Sequence, residues 1–341
     1  MENAKQQSRS IKLKHDAELT IATATSRKST SWKNKQMMYS DFVNRVSKTV
    51  RTKETFEEYM KLPKAEQDEI KDVGGFVFGS LKGGRRKADA VAWRDAITLD
   101  ADFVEGDFWD GVTMMFDNAC VMYSTHKHQP DKPRLRLIIP LSRPVSVEEY
   151  VAISKKLAEQ FGIDYFDDTC YEPHRLMYWG STASDGEYLF DYQDAPFLNP
   201  QDILDMYNDW RDPREWPESS RQRDARKRMA EKQGDPLEKP NKVGAFCRAY
   251  SITEAIETFL PESYESAGDG RYTFTGGSTT GGLVLYDDKF AYSHHGTDPV
   301  SGRLVNAYDL VRLHKFGELD EEVKEGTPIN RLPSTVRMNE F

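Results

Sequence analysis

The apolar run Ala96-Ile97-Thr98-Leu99 leads directly into Asp100-Ala101-Asp102, and that junction constrains the fold more than any other stretch. On a β-strand successive side chains point to opposite faces, so Asp100 and Asp102 lie side by side on one face. Two carboxylates held that close repel each other unless a cation sits between them, and hard oxygen ligands suit Mg²⁺ or Mn²⁺. An Asp-x-Asp pair also occurs in ordinary strand ends and turns. The strands that follow supply the context.

Three further strand candidates put polar groups on single faces. In Val121-Met122-Tyr123-Ser124-Thr125-His126, Ser124 and His126 share a face. In Pro133 to Pro140, Arg134 and Arg136 take one face while Leu135 and Leu137 take the other. Phe166-Asp167-Asp168-Thr169 offers another carboxylate and is followed by Arg175-Leu176-Met177-Tyr178-Trp179. Joined in one sheet, these strands give a surface of three carboxylates, a histidine and several arginines, with an apolar surface behind. Such a surface can hold two metal ions and a polyphosphate, the needs of nucleotidyl transfer.

The run from Gly74-Gly75-Phe76-Val77 through Gly83-Gly84-Arg85-Arg86-Lys87 to Leu99-Asp100-Ala101-Asp102 resembles the archaeo-eukaryotic primase superfamily. More narrowly, it is similar to the primase-polymerase domain of phage and plasmid replication proteins of the virulence-associated E family. That superfamily is marked by a strand ending in Asp-x-Asp or Asp-x-Glu, a Ser-x-His strand and a hydrophobic-Asp motif. Here they are matched in order by Asp100/Asp102, Ser124-Thr125-His126 and Phe166-Asp167, and the likeness runs roughly from residue 10 to residue 320. It implies an α+β fold: a primase-polymerase palm with an RRM-like antiparallel sheet, plus a small C-terminal α+β module.

The resemblance also implies chemistry. Asp100, Asp102 and Asp167 would bind two Mg²⁺ or Mn²⁺ ions. Asp168 competes for the third place, but the family pattern selects the Asp eight residues before Arg175, which is Asp167. Ser124, His126, Arg134 and Arg136 would hold the triphosphate, and Arg85, Arg86 and Lys87 would contact nucleotide or template backbone. Expected partners are a single-stranded DNA template with its primer, NTP or dNTP, and a separate helicase. Larger family members carry a helicase domain after this region, and no Walker-type Gly-x-x-x-x-Gly-Lys-Ser/Thr stretch occurs here.

Two rival classes use the same residues differently. A rolling-circle replication endonuclease needs His-hydrophobic-His and a nucleophilic tyrosine. His126-Lys127-His128 has the spacing but a lysine in the middle, and Tyr150 is the available nucleophile. That reading leaves Asp100, Asp102 and Asp167 without a role. A catalytically inactive nucleic-acid-binding initiator is the other class, and the suitable residues at every metal and nucleotide position speak against it.

Composition sets bounds. With 341 residues, 38% of them hydrophobic, the chain can build one sizeable domain and a smaller one. No stretch of 18 apolar residues and no signal-peptide pattern occurs, so a cytoplasmic protein of a bacterial host, away from membranes, is expected. Cys120, Cys170 and Cys247 stand far apart without a C-x-x-C pair, which suggests a reduced compartment and neither disulfides nor structural zinc. The net charge of −9 argues against indiscriminate nucleic-acid binding, while Lys82–Arg94 and Lys127–Arg136 are locally basic.

The chain divides by composition into a catalytic domain (1–208), a charged linker or exposed helix (209–242) and an accessory module (243–341). A strand is expected near Leu19–Ala24, and helices at Ser40–Ser47, Lys53–Leu62 and Asp107–Phe116. Another helix should open on the capping box Ser146-Val147-Glu148-Glu149. Gly74, Gly75, Gly79, Gly83 and Gly84 suggest a flexible, backbone-exposing region. The accessory module reads as a helix at Ser251–Phe259, strands at Arg271–Thr275, Leu283–Tyr286 and Phe290–Ser293, and a helix from Asn306. Its Tyr292-Ser293-His294-His295 and Asn306–Val311 segments loosely resemble a primase zinc-binding fold without its cysteines, able to contact template or primer. His294 and His295 with Asp298 could form a metal site, but a structural or nucleic-acid-contact role suits them better. His128 reads as an exposed loop residue.

Overall fold

The alternating stretch near the N-terminus forms β1 (Glu18–Ala24), which buries Leu19 and Ile21 and pairs antiparallel with β2 (Lys33–Met38). The computed structural model describes residues 10–277, 279–321, 323, 324 and 326–341. Residues 1–9 of the expected first domain lie outside them. Along the chain follow α1 (Tyr39–Val46), β3 (Val50–Arg51), α2 (Phe56–Lys61), α3 (Lys64–Ile70), β4 (Gly75–Phe78), β5 (Ser80–Leu81) and β6 (Val91–Ala101). Next come α4 (Phe108–Thr113), β7 (Cys120–Ser124), β8 (Leu135–Val145), α5 (Val147–Phe161), β9 (Met177–Tyr178), β10 (Ser181–Thr182), β11 (Phe190–Gln193) and α6 (Pro200–Leu204). Mixed helices and antiparallel sheets make this an α+β fold.

The strands do not form one sheet. One sheet has the order β2-β1-β4-β9, a second has β11-β7-β8-β6-β5, and β10 pairs with β3. In the second sheet the register aligns Asp100, Arg136 and Tyr123 across β6, β8 and β7. One residue along, Ala101, Leu135 and Ser124 form the next row, which faces the other way because the pleat alternates. On the other side of the Asp100 row lies an apolar row of Leu99, Leu137 and Met122. Helix α5 opens on the expected box: Ser146 accepts from the Glu149 N–H (3.1 Å) and Glu149 accepts from the Ser146 N–H (2.8 Å).

The glycine-rich stretch divides: Gly74, Gly75 and Gly79 are buried rather than exposed, whereas Gly83 is exposed. Phe76, Val77 and Phe78 of β4 are buried, and Phe42 lies 5.1 and 4.7 Å from the rings of Phe76 and Phe78. Gly79 sits at φ +124°, and a Cβ there would come within 2.0 Å of the Trp93 carbonyl oxygen. That glycine permits close approach of backbones.

A second unit begins at Tyr207, the first ending at Met206. It contains α7 (Ser220–Gln233), α8 (Lys242–Ala249), α9 (Ile252–Phe259), β12 (Tyr264–Gly268), β13 (Arg271–Phe274), β14 (Leu283–Tyr286), β15 (Phe290–Ser293), β16 (Leu304–Asn306), α10 (Ala307–Phe316) and α11 (Pro333–Glu340). The strands form one antiparallel meander, β12 through β16 in sequence order. The core beside it gathers Ile252, Ile256, Leu283, Leu310 and Val311. The segment 209–242 is tied into this unit: Asp212 pairs with Arg271 (3.0 Å), Asp235 with Lys289 (2.6 Å), and Gln233 donates to the Leu304 carbonyl (2.6 Å). His295 is fully buried, accepting from the Phe274 N–H (3.0 Å) and bonding the Thr279 hydroxyl. Asp298 accepts from Tyr264 (2.8 Å) and Ser293 (2.7 Å). These residues knot the meander together.

Candidate active site

The row of Asp100, Arg136 and Tyr123 opens onto a cavity of about 600 Å³ that Tyr178 of β9 and Ser181 of β10 also line. Arg136 Nε donates to Asp100 Oδ1 at 2.6 Å, and its Nη1 donates to the Tyr178 carbonyl (2.6 Å) and the Tyr123 hydroxyl (3.3 Å). Arg134, two residues earlier and past the strand end, donates from Nη1 to Asp102 Oδ2 at 2.6 Å. Asp167 arrives from a distant segment. Its N–H donates to the Asp100 carbonyl (2.8 Å), and Phe166 forms a bridge with Ala101. Its carboxylate accepts from the Thr169 N–H (3.0 Å) and lies 3.6 Å from Arg175. Asp100, Asp102 and Asp167 therefore face one space. Asp168 is not among the residues lining it.

Electrostatics reflect that convergence. Burial, then the charges of Asp100 and Asp167, hold the Asp102 carboxyl above its ordinary range against the pull of Arg134. Burial alone would lower the Arg136 guanidinium, but Asp100 and Tyr123 hold it above its ordinary value. His126 Nδ1 lies 3.0 Å from the Ser181 hydroxyl, and its Nε2 is 3.6 Å from Glu54, beyond hydrogen-bond reach. Burial pushes this imidazole down to about 4, despite Glu54. His126 is thus neutral at pH 7.

The other expected site residues divide. Arg86 lines the cavity, with its Nη1 on the His174 carbonyl (3.2 Å) and its guanidinium 5.4 Å over Trp32, whereas Arg85 and Lys87 are not among the lining residues. Ser124 is misplaced by the expected alternation. It lies in the row facing away from Asp100, fully buried, and its hydroxyl accepts from the Leu189 N–H (3.0 Å). Strand β7 ends at Ser124, so the period-2 rule that paired it with His126 no longer applies. His128 is not exposed: at 4% exposure it accepts from the Arg134 N–H (3.3 Å). Tyr150 is fully buried, its hydroxyl on Thr98 (3.1 Å) and the Cys170 carbonyl (3.1 Å), so it is no available nucleophile.

Sequence reasoning missed Arg27, Lys28, Lys64, Lys71 and Lys127, which also line the cavity. The locally basic run Lys127–Arg136 hinted at Lys127, and Ser/Thr/Lys enrichment around Ser26–Lys35 hinted at Arg27 and Lys28, while nothing singled out Lys64 or Lys71. Among the described residues nine lysines and arginines face four aspartates there, in a chain whose net charge is −9. Among the described residues no three His, Cys, Asp or Glu side chains stand grouped as a ready metal site. The donor set of Asp100, Asp102 and Asp167 nonetheless suits a hard divalent cation, and the raised Asp102 carries the repulsion that such an ion relieves. Arg134 and Arg136 now occupy one oxygen each of Asp102 and Asp100.

The family model of the VapE N-terminal domain matches residues 4–219. Among solved structures, the AEP domain of the cyanophage S-2L primase-polymerase is similar at 12% identity and a TM-score of 0.31, over 55% of this chain and 88% of that one. No curated protein matches the sequence.

Proposed function

The chain belongs to the VapE N-terminal domain family, and on that premise we propose that it is a primase-polymerase. It would be a nucleotidyltransferase joining NTPs or dNTPs on a single-stranded DNA template during replication of a phage or other mobile element. The observation that carries this reading is the pair of ion pairs, Arg136–Asp100 and Arg134–Asp102, at the wall of a cation-lined cavity. Each pair combines a phosphate-binding group with a metal-binding group. Guanidinium donors match phosphate oxygens as well as they match carboxylates. An incoming triphosphate can therefore draw Arg134 and Arg136 toward itself and leave both carboxylates free to take cations.

Asp100, Asp102 and Asp167 would hold Mg²⁺ or Mn²⁺. When bound, such ions neutralise triphosphate charge and lower the pKa of an attacking 3′-hydroxyl. The remaining work falls to the chain's own side chains. Arg134 and Arg136 orient the triphosphate, and Arg86, from the segment between β5 and β6, adds a third guanidinium. His126, neutral at pH 7, offers a ring nitrogen without a fixed positive charge. Primer and single-stranded template are the partners this activity requires. Burial of Tyr150 argues against strand nicking, which needs an exposed nucleophile.

The test is primer synthesis and extension on single-stranded DNA, with labelled NTPs and dNTPs, in Mg²⁺ and in Mn²⁺. Wild-type protein should incorporate nucleotide. Asp100→Asn and Asp102→Asn should each lower incorporation about a hundredfold or more, since each removes part of a charge stabilisation worth several kcal/mol. Wild-type rates in a well-folded double variant, or a covalent Tyr150–DNA adduct, would overturn the proposal.

A further inference from the structure

Arg27, Lys28, Lys64, Lys71 and Lys127 line the cavity without a part in that chemistry. They come from three separate pieces of chain: the turn after β1, helix α3 with its C-terminal residue, and the turn after β7. The first piece is built to hold its shape. The Asp72 carboxylate accepts from the Ser26 hydroxyl (2.6 Å), from the Arg27 N–H (2.9 and 3.0 Å) and from the Gly74 N–H (3.3 Å). This clamp fixes the turn beside α3, where Glu69 receives Arg27 (3.0 Å) and Lys28 (2.6 Å). Asp68 in turn receives Lys71 (2.8 Å) and Lys64 (3.6 Å). Two carboxylates thus serve four cations. Lys127 faces the ring of Tyr59 at 5.8 Å instead. Burial, then the like charges of Lys64, Lys71 and Arg134, hold its ammonium below the ordinary value.

We propose that these five side chains form a second phosphate-binding wall, taking a row of phosphates that enters the cavity. Crowded cations short of negative charge gain most from an anion carrying several charges in a line. Asp68 and Glu69 keep the cations in place when that anion is absent, as Asp100 and Asp102 do for the arginines. Two sources share this chemistry: the triphosphate tail of a nucleotide and consecutive phosphodiesters of a single strand. The inference deepens the nucleotidyl-transfer reading and rests on it for where the phosphates come from.

Calorimetry on the full chain in EDTA, with inorganic tripolyphosphate, a dNTP and an oligo-dT as separate probes, tests the wall without any chemistry. The variants are the triple Lys64→Ala/Lys71→Ala/Lys127→Ala and the double Arg27→Gln/Lys28→Gln, which lies on another segment. Tripolyphosphate affinity should fall about tenfold or more in the triple and by a smaller factor in the double. A parallel loss for dNTP alone assigns the wall to the nucleotide tail. A parallel loss for oligo-dT alone, with a shallower salt dependence, assigns it to the strand. Unchanged affinity for all three probes in either well-folded variant overturns the wall. Should wild type bind tripolyphosphate through these residues yet never incorporate nucleotide, the function falls and the wall stands.

Discussion

Buried His126 and half-buried His174 of the first unit are held in the neutral form, and their effect on stability has a definite sign. Burial pushes His126 down to about 4, and burial together with Arg86 and Arg175 does the same to His174. In the unfolded chain both titrate near 6.5. Between about pH 6.5 and 4 the unfolded chain therefore binds more protons, so their contribution is complete above that window and is lost as pH falls through it. Urea midpoints should drop between pH 7.5 and 4.5, and His126→Gln/His174→Gln should show a smaller drop than wild type. An identical slope would show that neither ring is held neutral. Arg94 is a different case: fully buried, it donates to the carbonyls of Phe78, Pro173 (2.5 Å) and Ala96 (3.3 Å) and stacks 4.0 Å over Tyr150. Arg94→Met leaves these carbonyls unpaired and should destabilise by about 2–4 kcal/mol in chemical denaturation. Tyr150→Phe removes only one hydroxyl from the same region. It should cost about 1 kcal/mol and leave nucleotide incorporation unchanged.

At the scale of elements, strand register does most to build the site, since it sets Asp100 beside Arg136 and Tyr123. Gly79 guards that register, because it lets β4 and β5 meet β6 at the Trp93 carbonyl. Gly79→Ala must push these backbones apart at a φ that side chains avoid, and should unfold the first unit or cost several times the roughly 1 kcal/mol of an ordinary glycine exchange. Ser146→Ala, which removes one half of the α5 capping box, should cost about 1 kcal/mol without altering nucleotide affinity. The alternation in β6 and β8 and the capping signals at Ser146 and Asn306 were legible because each is a short-range pattern. Others were not. Buried β4 looked flexible because its flanking glycines carry no sign of whether they open a turn or admit a neighbour. Ser124 and His126 seemed to share a face because nothing in Ser-Thr-His says that the strand stops at Ser124. The turn that follows, with the His128 N–H on the Thr125 carbonyl (3.0 Å), re-aims His126 and buries His128. The lysines at 64, 71 and 127 converge only through tertiary structure.

On the scale of the whole molecule, net charge and local charge have opposite signs. A chain of net charge −9 should bind polyanions weakly at random and well only at the cation-lined cavity. Binding of oligo-dT should therefore weaken steeply with salt even though the protein is acidic, and the asymmetry should follow the first unit. That unit contains Asp100, Asp102, Asp167, His126, Arg134 and Arg136, and it ends at Met206. It also has its own aromatic core, with Phe42, Phe76, Phe78 and Trp179 packed ring against ring. The second unit has a separate one, drawn from Cys247 to Met338. Two cores that share no residue predict that each folds without the other. A chain ending at Met206 should unfold cooperatively and bind dNTP within about threefold of the full-length affinity, measured by calorimetry. Primer initiation is more demanding, since it holds two nucleotides and a template at once, and is the step expected to fall when residues after Tyr207 are removed. A truncated chain that is insoluble, or soluble but unable to bind dNTP, would mean that the second unit completes the first one's core or its cavity. Equal initiation by both chains would instead leave the second unit outside the priming reaction.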